Sequence, residues 1–321
     1  MDTRLGQVIG SIADVSQAAF IPGQHIQDHI MLAYELIRGY SAKNGTPRCM
    51  IQMDIKKAYD SVEWTAMEDI MAELSIPNKF INGTMVMIKI VSYRILEKIG
   101  RRKNFQYHAK YEKIGIINLS FADDHLVFVK GDITFVKMLM TGLQTFSDST
   151  GLEVNPAKCK VYFGYVEEEA KQDIIRATTF EEGELPFKYL GIPLTSKKIT
   201  VQHCLGLIEK IVGRIMHRSF RLLSFAGRTQ LIQSVLFSTS NYWIQSLPMP
   251  KKVIKIIEVI CHSYLWAGTE VITRKSPVSW QKLCTPKKKG GLNIIDLHEW
   301  NKFFLAKNLW NLSGKADSLW I

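Results

Sequence analysis

The chain has 321 residues, ordinary globular proportions (46% apolar, 22% charged) and a formal net charge of +11, which allows one to three domains with a sizeable core. No apolar run reaches membrane-spanning length, the opening Met-Asp-Thr-Arg-Leu-Gly is not a secretory signal, and five scattered cysteines without a Cys-x-x-Cys pair argue against a disulfide framework or closed zinc site. A reducing intracellular compartment, nucleus or cytoplasm, is the expectation.

The charge is unevenly placed. Residues 1–180 hold 21 basic and 21 acidic side chains, whereas residues 181–321 hold 20 and 9. A neutral half followed by a basic one suits an acidic, metal-binding core joined to a surface that holds nucleic-acid phosphates; the plainer reading is a basic surface that serves solubility.

In chain order, Ser16 to Gln24 reads as a loop, and a helix is predicted from about Ile26 to Tyr40 with Ile26, Ile30, Ala33 and Ile37 on one face. Asn44-Gly45-Thr46-Pro47 breaks it. The apolar run Cys49 to Met53 then reads as a strand that ends at Asp54. An amphipathic helix follows Asp60, with Trp64, Met67, Met71 and Leu74 as core positions; Pro77 interrupts it, and a further helix spans roughly Lys79 to Ile95.

Ile114 to Ser120 and Leu126 to Val129 are apolar runs on either side of Phe121-Ala122-Asp123-Asp124, which predicts a β-hairpin with an acidic tip. Such a tip is commonly just a solvated turn. Two adjacent carboxylates nevertheless repel unless a cation neutralises them, and a hard divalent ion takes carboxylate oxygens while keeping positions open for phosphate and water. If the strand ending at Asp54 lies beside this hairpin, three carboxylates converge, as two-metal phosphoryl transfer requires.

A helix is predicted from Ile133 to Ser149, with Ile133, Val136, Leu143 and Phe146 on its inner face. Thr150 to Lys160 is a turn that feeds the strand Val161 to Gly164, and Pro186 to Pro193 is a turn rich in Gly and Pro. From Ile199 the chain reads as helices, with Leu205, Ile208, Val212 and Ile215 in one stripe. Lys210, Arg214, Arg218, Arg221 and Arg228 are spaced to line a basic groove. Ser224 starts a long helix towards Trp243, Val253 to Leu265 forms another, and the basic loop Lys287-Lys288-Lys289 precedes a last one from about Leu297 to Leu312. Trp266, Trp280, Trp300 and Trp310 are read as packing residues, with stacking on bases as the other use of such rings.

Phe121-Ala122-Asp123-Asp124, together with Met53-Asp54-Ile55-Lys56-Lys57-Ala58-Tyr59-Asp60-Ser61-Val62, resembles the reverse transcriptases of non-LTR (LINE-type) retrotransposons, especially those of plant genomes. Nearly the whole chain follows that pattern in order. The resemblance implies an α+β fold, a partial right-hand polymerase: a fingers remnant (1–48), a palm with a ferredoxin-like antiparallel sheet (49–198) and a basic helical thumb and connection (199–321). It implies Asp54, Asp123 and Asp124 as ligands of Mg2+ or Mn2+, a further ligand from the Ile55 carbonyl, and Tyr59 beneath the incoming sugar. It implies Lys158 as proton donor to the pyrophosphate, Lys160 being the neighbouring candidate, and Tyr189, Leu190 and Gly191 as a primer grip. Gly191 would permit close backbone approach there. Template RNA, DNA primer and deoxynucleotide triphosphates would be the partners, with no membrane.

Two departures bear on activity. Related enzymes carry an endonuclease domain and more of the fingers before the counterpart of Arg4 to Ile9. They also carry an Arg-Gln-Gly-Asp-Pro-x-Ser-Pro motif, which positions template and nucleotide, between the two aspartate motifs. Here Asp54 and Asp123 are only 69 positions apart and no Gln-Gly-Asp-Pro exists. The expectation is therefore a polymerase region defective in catalysis, or a non-catalytic RNA- or DNA-binding retroelement remnant.

Overall fold

The computed structural model describes residues 17, 25–42, 45–56, 118–121, 124–150, 152–217, 222–268 and 276–313. These fall into two compact units: one runs up to Phe187 and takes back Leu194–Lys197, and the other comprises Lys188–Pro193 and the chain from Lys198. Among the described residues no helix is long and apolar enough to cross a membrane. The predicted helices after Asp60 and from Lys79 lie outside the described residues.

In the first unit, helix α1 (Ile26–Ile37) buries His29, Ile30, Leu32, Ala33, Leu36 and Ile37. It ends three residues earlier than predicted, where Gly39 adopts φ +88° and its N–H turns to the Ser196 carbonyl, 3.2 Å away. A side chain would be strained in that left-handed conformation.

Strand β1 (Arg48–Lys56) is the middle of the sheet. It pairs antiparallel with β3 (Asp124–Lys130) on one side and with β5 (Lys160–Gly164) on the other. The strand β2 (Asn118–Phe121) pairs antiparallel with β3. The two-residue β4 (Glu153–Val154) meets the end of β1 at Ile55 and Lys56, and β6 (Glu181–Glu182) runs parallel to β5. The order is β2-β3-β1-β5-β6.

Apart from Gln52, residues 49–53 of β1 are apolar, as suits a strand covered on both faces. Cys49, Ile51 and Met53 pack with Val127, Val129 and the inner face of helix α2 (Ile133–Thr150), while Val136, Leu139 and Leu143 of that helix close the core. Met50, Leu126 and Phe128, which alternate with them, are also buried. Each fully buried side chain of this size contributes roughly 1.5–3 kcal/mol. Helix α3 (Glu168–Thr178) adds Ile174 to the same core. A hairpin of β7 (Phe187–Tyr189) and β8 (Ile192–Leu194) follows.

The described part of the second unit is otherwise helical: α4 (Leu205–Met216), α5 (Phe225–Leu231), α6 (Phe237–Ser246), α7 (Lys251–Ala267), α8 (Trp280–Cys284) and α9 (Leu297–Ser313). Its core gathers Leu207, Ile211, Ile215, Leu236, Ile257 and Tyr264, among others. The stripe predicted on α4 is shifted. Leu207, Ile211 and Ile215 are buried, Ile208 and Val212 are partly buried, and Leu205 is 45% exposed. Leu205 opens the helix directly after a 3-10 turn (Gln202–Cys204) whose Cys204 takes the buried place instead.

The long helix expected from Ser224 does form, with Ser224 Oγ accepting from the Gly227 N–H at 3.3 Å. It changes winding between α5 and α6, where Ile232–Leu236 form a π turn. Such a turn re-aims the side chains that follow it by widening one turn.

Candidate active site

The end of β1 places Asp54 directly across from Asp124 of β3. Residues opposite each other in an antiparallel pair share a face of the sheet, with Cβ atoms about 5 Å apart. Two carboxylates at about that distance repel by roughly 3 kcal/mol at an effective dielectric of 20. A cation nearby offsets such repulsion. Lys158 supplies one: its Nζ lies 3.1 Å from Asp54 Oδ2, and Asp54 is 22% exposed.

The loop after β4 anchors this arrangement. The Asn155 N–H donates to the Asp54 carbonyl at 2.9 Å, and the Lys158 and Cys159 N–H groups both return to the Asn155 carbonyl, at 3.0 and 3.2 Å. Pro156–Lys158 thereby form one 3-10 turn. Burial pushes the Cys159 thiol up; the Asp54 backbone N–H opposes that shift and the Asp54 carboxylate adds to it. Cys159 is fully buried, so it fixes the lysine turn from below and is no nucleophile.

Behind Asp124, the next residue, His125, is buried, and its Nδ1 lies 2.8 Å from Ser120 Oγ. Asn118 Nδ2 donates to the same hydroxyl at 3.1 Å. This polar chain ties β2 to β3 one residue from the carboxylate. Sequence reasoning missed it, although an alternating Asn-x-Ser before an acidic tip and a His after it is a usable sign of cross-strand polar pairing. Asn155 and Cys159 carried no such sign, because backbone anchoring leaves no side-chain signature.

Asp123 and Tyr59, expected in the same site, lie outside the described residues. Among the described residues no group of three or more His, Cys, Asp or Glu side chains is placed to hold a metal. Ile55 sits one residue beyond Asp54, in register with Val154. Among the described residues the donor set is thus two carboxylates on facing positions, with the Lys158 ammonium against one of them. Its chemistry fits a hard divalent ion.

The structure sorts the remaining expected residues differently. Lys160 is exposed at the start of β5, outside the Asp54–Lys158 ion pair. Tyr189 is buried, and the turn after it carries Leu190 at φ +51° and Gly191 at φ +79°. Two successive positive φ values make the two-residue turn that suits a right-twisted hairpin. A Cβ at Gly191 would meet nothing within 4 Å. The glycine is thus needed for its dihedral angles and not, within this chain, for a close approach. The Leu190 carbonyl accepts from Tyr242 Oη at 2.7 Å, which holds the turn.

Of the five basic-groove residues, Arg218 and Arg221 lie outside the described residues and Lys210 is exposed. Arg214 is half-buried and donates to Thr239 Oγ1. Arg228 is half-buried. Its guanidinium donates to the carbonyls of Leu223 (3.0 Å), Leu265 (2.9 Å) and Tyr264 (3.4 Å), which adds side-chain donors to the end of α7 beside its C-cap Gly268.

No family model matches the chain. Among curated proteins it is 21% identical over 334 residues to the Transposon TX1 uncharacterized 149 kDa protein of Xenopus laevis, an alignment that covers 91% of this chain and 24% of that protein. It is also 28% identical over 129 residues to a putative ribonuclease H protein of Arabidopsis thaliana, covering 40% of this chain and 21% of that one. The chain therefore spans about a quarter or less of the length of either relative.

Proposed function

We propose that this chain is the reverse-transcriptase region of a LINE-type retroelement, an RNA-directed DNA polymerase palm with a helical thumb, whose metal-binding carboxylates remain but whose nucleotide-positioning segment is missing. The observation that carries the reading is the Asp54–Asp124 register pair with Lys158 against it. The order β2-β3-β1-β5, with α2 between β3 and β5, supports a ferredoxin-like palm. The similarity to the Transposon TX1 protein over 91% of the chain supports a retroelement origin.

In this reading Asp54, Asp123 and Asp124 hold Mg2+ or Mn2+. The bound ion supplies charge neutralisation at the α-phosphate of a deoxynucleotide and lowers the pKa of the primer 3′-hydroxyl. The chain's own contributions are the rigid spacing of two carboxylates on neighbouring strands and an ammonium at Lys158. That ammonium offsets their repulsion before substrate arrives, and it is the proton donor to the departing pyrophosphate. Without a Gln-Gly-Asp-Pro segment, the contacts with template and nucleotide that this motif makes in related enzymes are missing. Binding of metal and nucleic acid without efficient synthesis is the expected phenotype.

The test measures Mn2+ binding by the electron paramagnetic resonance signal of the free ion, beside primer extension on an RNA template with Mg2+. Asp54→Asn and Asp124→Asn should each weaken Mn2+ binding at least tenfold. Unchanged binding in both variants would sink the metal site, and robust primer extension by the parent chain would sink the claim of defective catalysis.

A further inference from the structure

The last helix departs from the expectation that its aromatic residues are packing residues. Trp300 is partly buried against the core, and Phe304 is buried. By contrast, Phe303 is 53% exposed and Trp310 is 77% exposed. Phe303, Lys307 and Trp310 are spaced four and three apart, so they lie on one face of α9. The two rings are about 10 Å apart along the axis at the usual helical rise.

We propose that this outer face of α9 is a base-stacking platform for single-stranded nucleic acid, with Phe303 and Trp310 as the stacking rings and Lys307 as the phosphate contact between them. The inference rests on the nucleic-acid reading above and deepens it by naming the strand state and the residues.

Three observations favour nucleic acid over a protein partner. First, the face is not uniformly apolar, because the exposed Lys307 lies between Phe303 and Trp310 along the helix, its Nζ resting 5.9 Å from the centroid of the neighbouring buried ring, Phe304. An ammonium beside π faces is the pairing that ssDNA and ssRNA grooves use. Second, residues 276–313 carry six lysines against two acids. Both acids are engaged: Glu299 pairs with Lys302 at 2.6 Å, and Asp296 Oδ1 accepts from the His298 and Glu299 N–H groups at the start of α9. Glu299 is thus paired with a lysine and Asp296 is held at the helix start, and six lysines against two acids leave the segment a net charge of +4. Third, Phe303 is supported from behind by Trp300, stacked at 5.4 Å and 19°. An exposed ring held rigid in this way loses little freedom when a base stacks on it.

Leu305 and Leu309, 39% and 65% exposed on the flank, are the contacts a protein partner would use instead. The full chain and its Phe303→Ala/Trp310→Ala, Trp310→Phe and Leu305→Ser/Leu309→Ser variants would be titrated against fluorescein-labelled dT20 and a 20-base-pair duplex by anisotropy. Circular dichroism checks that the surface changes leave the fold intact.

The double alanine variant should lose roughly five- to a hundredfold in dT20 affinity per stacked ring, with duplex affinity changed less than twofold. Trp310→Phe and the leucine variant should stay near the parent. If the parent binds dT20 and the double variant binds equally well, the platform is wrong while the nucleic-acid reading stands. If the parent binds neither probe at low salt, the nucleic-acid reading itself fails. If only self-association of the chain responds, and responds to both double variants, the face is a protein-docking surface and the proposal is overturned.

Discussion

Replacing Arg228 by alanine separates the fold's account of this residue from the groove expected of it. Three backbone carbonyls receive its N–H groups, two of them, Tyr264 and Leu265, in the last turn of α7. Hydrogen bonds from a charged donor are worth about 1.5–3 kcal/mol each. Arg228 is only half-buried, so water replaces part of what is lost, and the 3.4 Å contact is weak. Its charge at the helix C-terminus adds about 0.3–1 kcal/mol. The net loss is about 2–4 kcal/mol, which for a unit of this size lowers Tm by about 8–16 °C.

Differential scanning calorimetry at two salt concentrations reads this directly, and Arg228→Lys should recover less than half, because an ammonium cannot span carbonyls on both sides. The result that refutes the reasoning is an Arg228→Ala protein that melts with the parent but loses nucleic-acid affinity. The side chain would then face a ligand and not α7.

The remaining predictions concern charges and buried polar groups. Asp54→Asn removes both a carboxylate facing Asp124 and the partner of Lys158, so it should change Tm little in EDTA but abolish the rise that Mg2+ gives the parent; an equal Mg2+-dependent rise in the variant contradicts the metal site. Lys158→Met should change stability by less than about 1 kcal/mol, the lysine being mostly exposed, yet tighten Mn2+ binding because no ammonium competes for Asp54. His29 is fully buried with neither ring nitrogen hydrogen-bonded among the described residues. Burial lowers its pKa from 6.5 to about 4. The folded state therefore binds fewer protons, and about 3 kcal/mol of stability is lost as pH falls from 6.5 towards 4; in His29→Leu the pH dependence of urea unfolding over that window should flatten. Glu258 is raised chiefly by burial, with His298 at 3.7 Å and Lys255 at 4.0 Å offsetting part of the shift. For a carboxyl raised in the folded state, stability falls as pH rises past its ordinary value of 4.5. Glu258→Gln should gain over the parent near neutrality and match it at acid pH.

Local order was legible where one interaction dominates. The strand ending at Asp54 and the helix after Gly131 follow from apolar periodicity, and both formed within a residue or two of the predicted bounds. The neighbour relation of Asp54 and Asp124 was a conditional inference from the hairpin's acidic tip, and the β1–β3 register now supplies the condition. What stayed hidden depends on tertiary context. The stripe on α4 slipped because the 3-10 turn before it resets which residue enters the core. Arg228 read as one of a row of cations, since nothing in a sequence announces that a guanidinium will turn inward to the end of another helix. Trp310 read as core because aromatics usually are; α9 carries apolar residues all around, so periodicity could not say which side faces out.

The far edge of the sheet has a bearing on handling the protein. Among the described residues, the last strand beyond β5 is β6, two residues long, and both are exposed glutamates. A strand edge offers unsatisfied backbone groups to any other strand that drifts past. A very short, doubly acidic border makes such a meeting unfavourable, since a second copy would bring its own pair of like charges to the seam. Three exposed methyl groups in place of the two carboxylates, as in Glu181→Val/Glu182→Thr, would convert that border into a template for growth by addition. Purification yield and shelf life would register this substitution before any binding assay did.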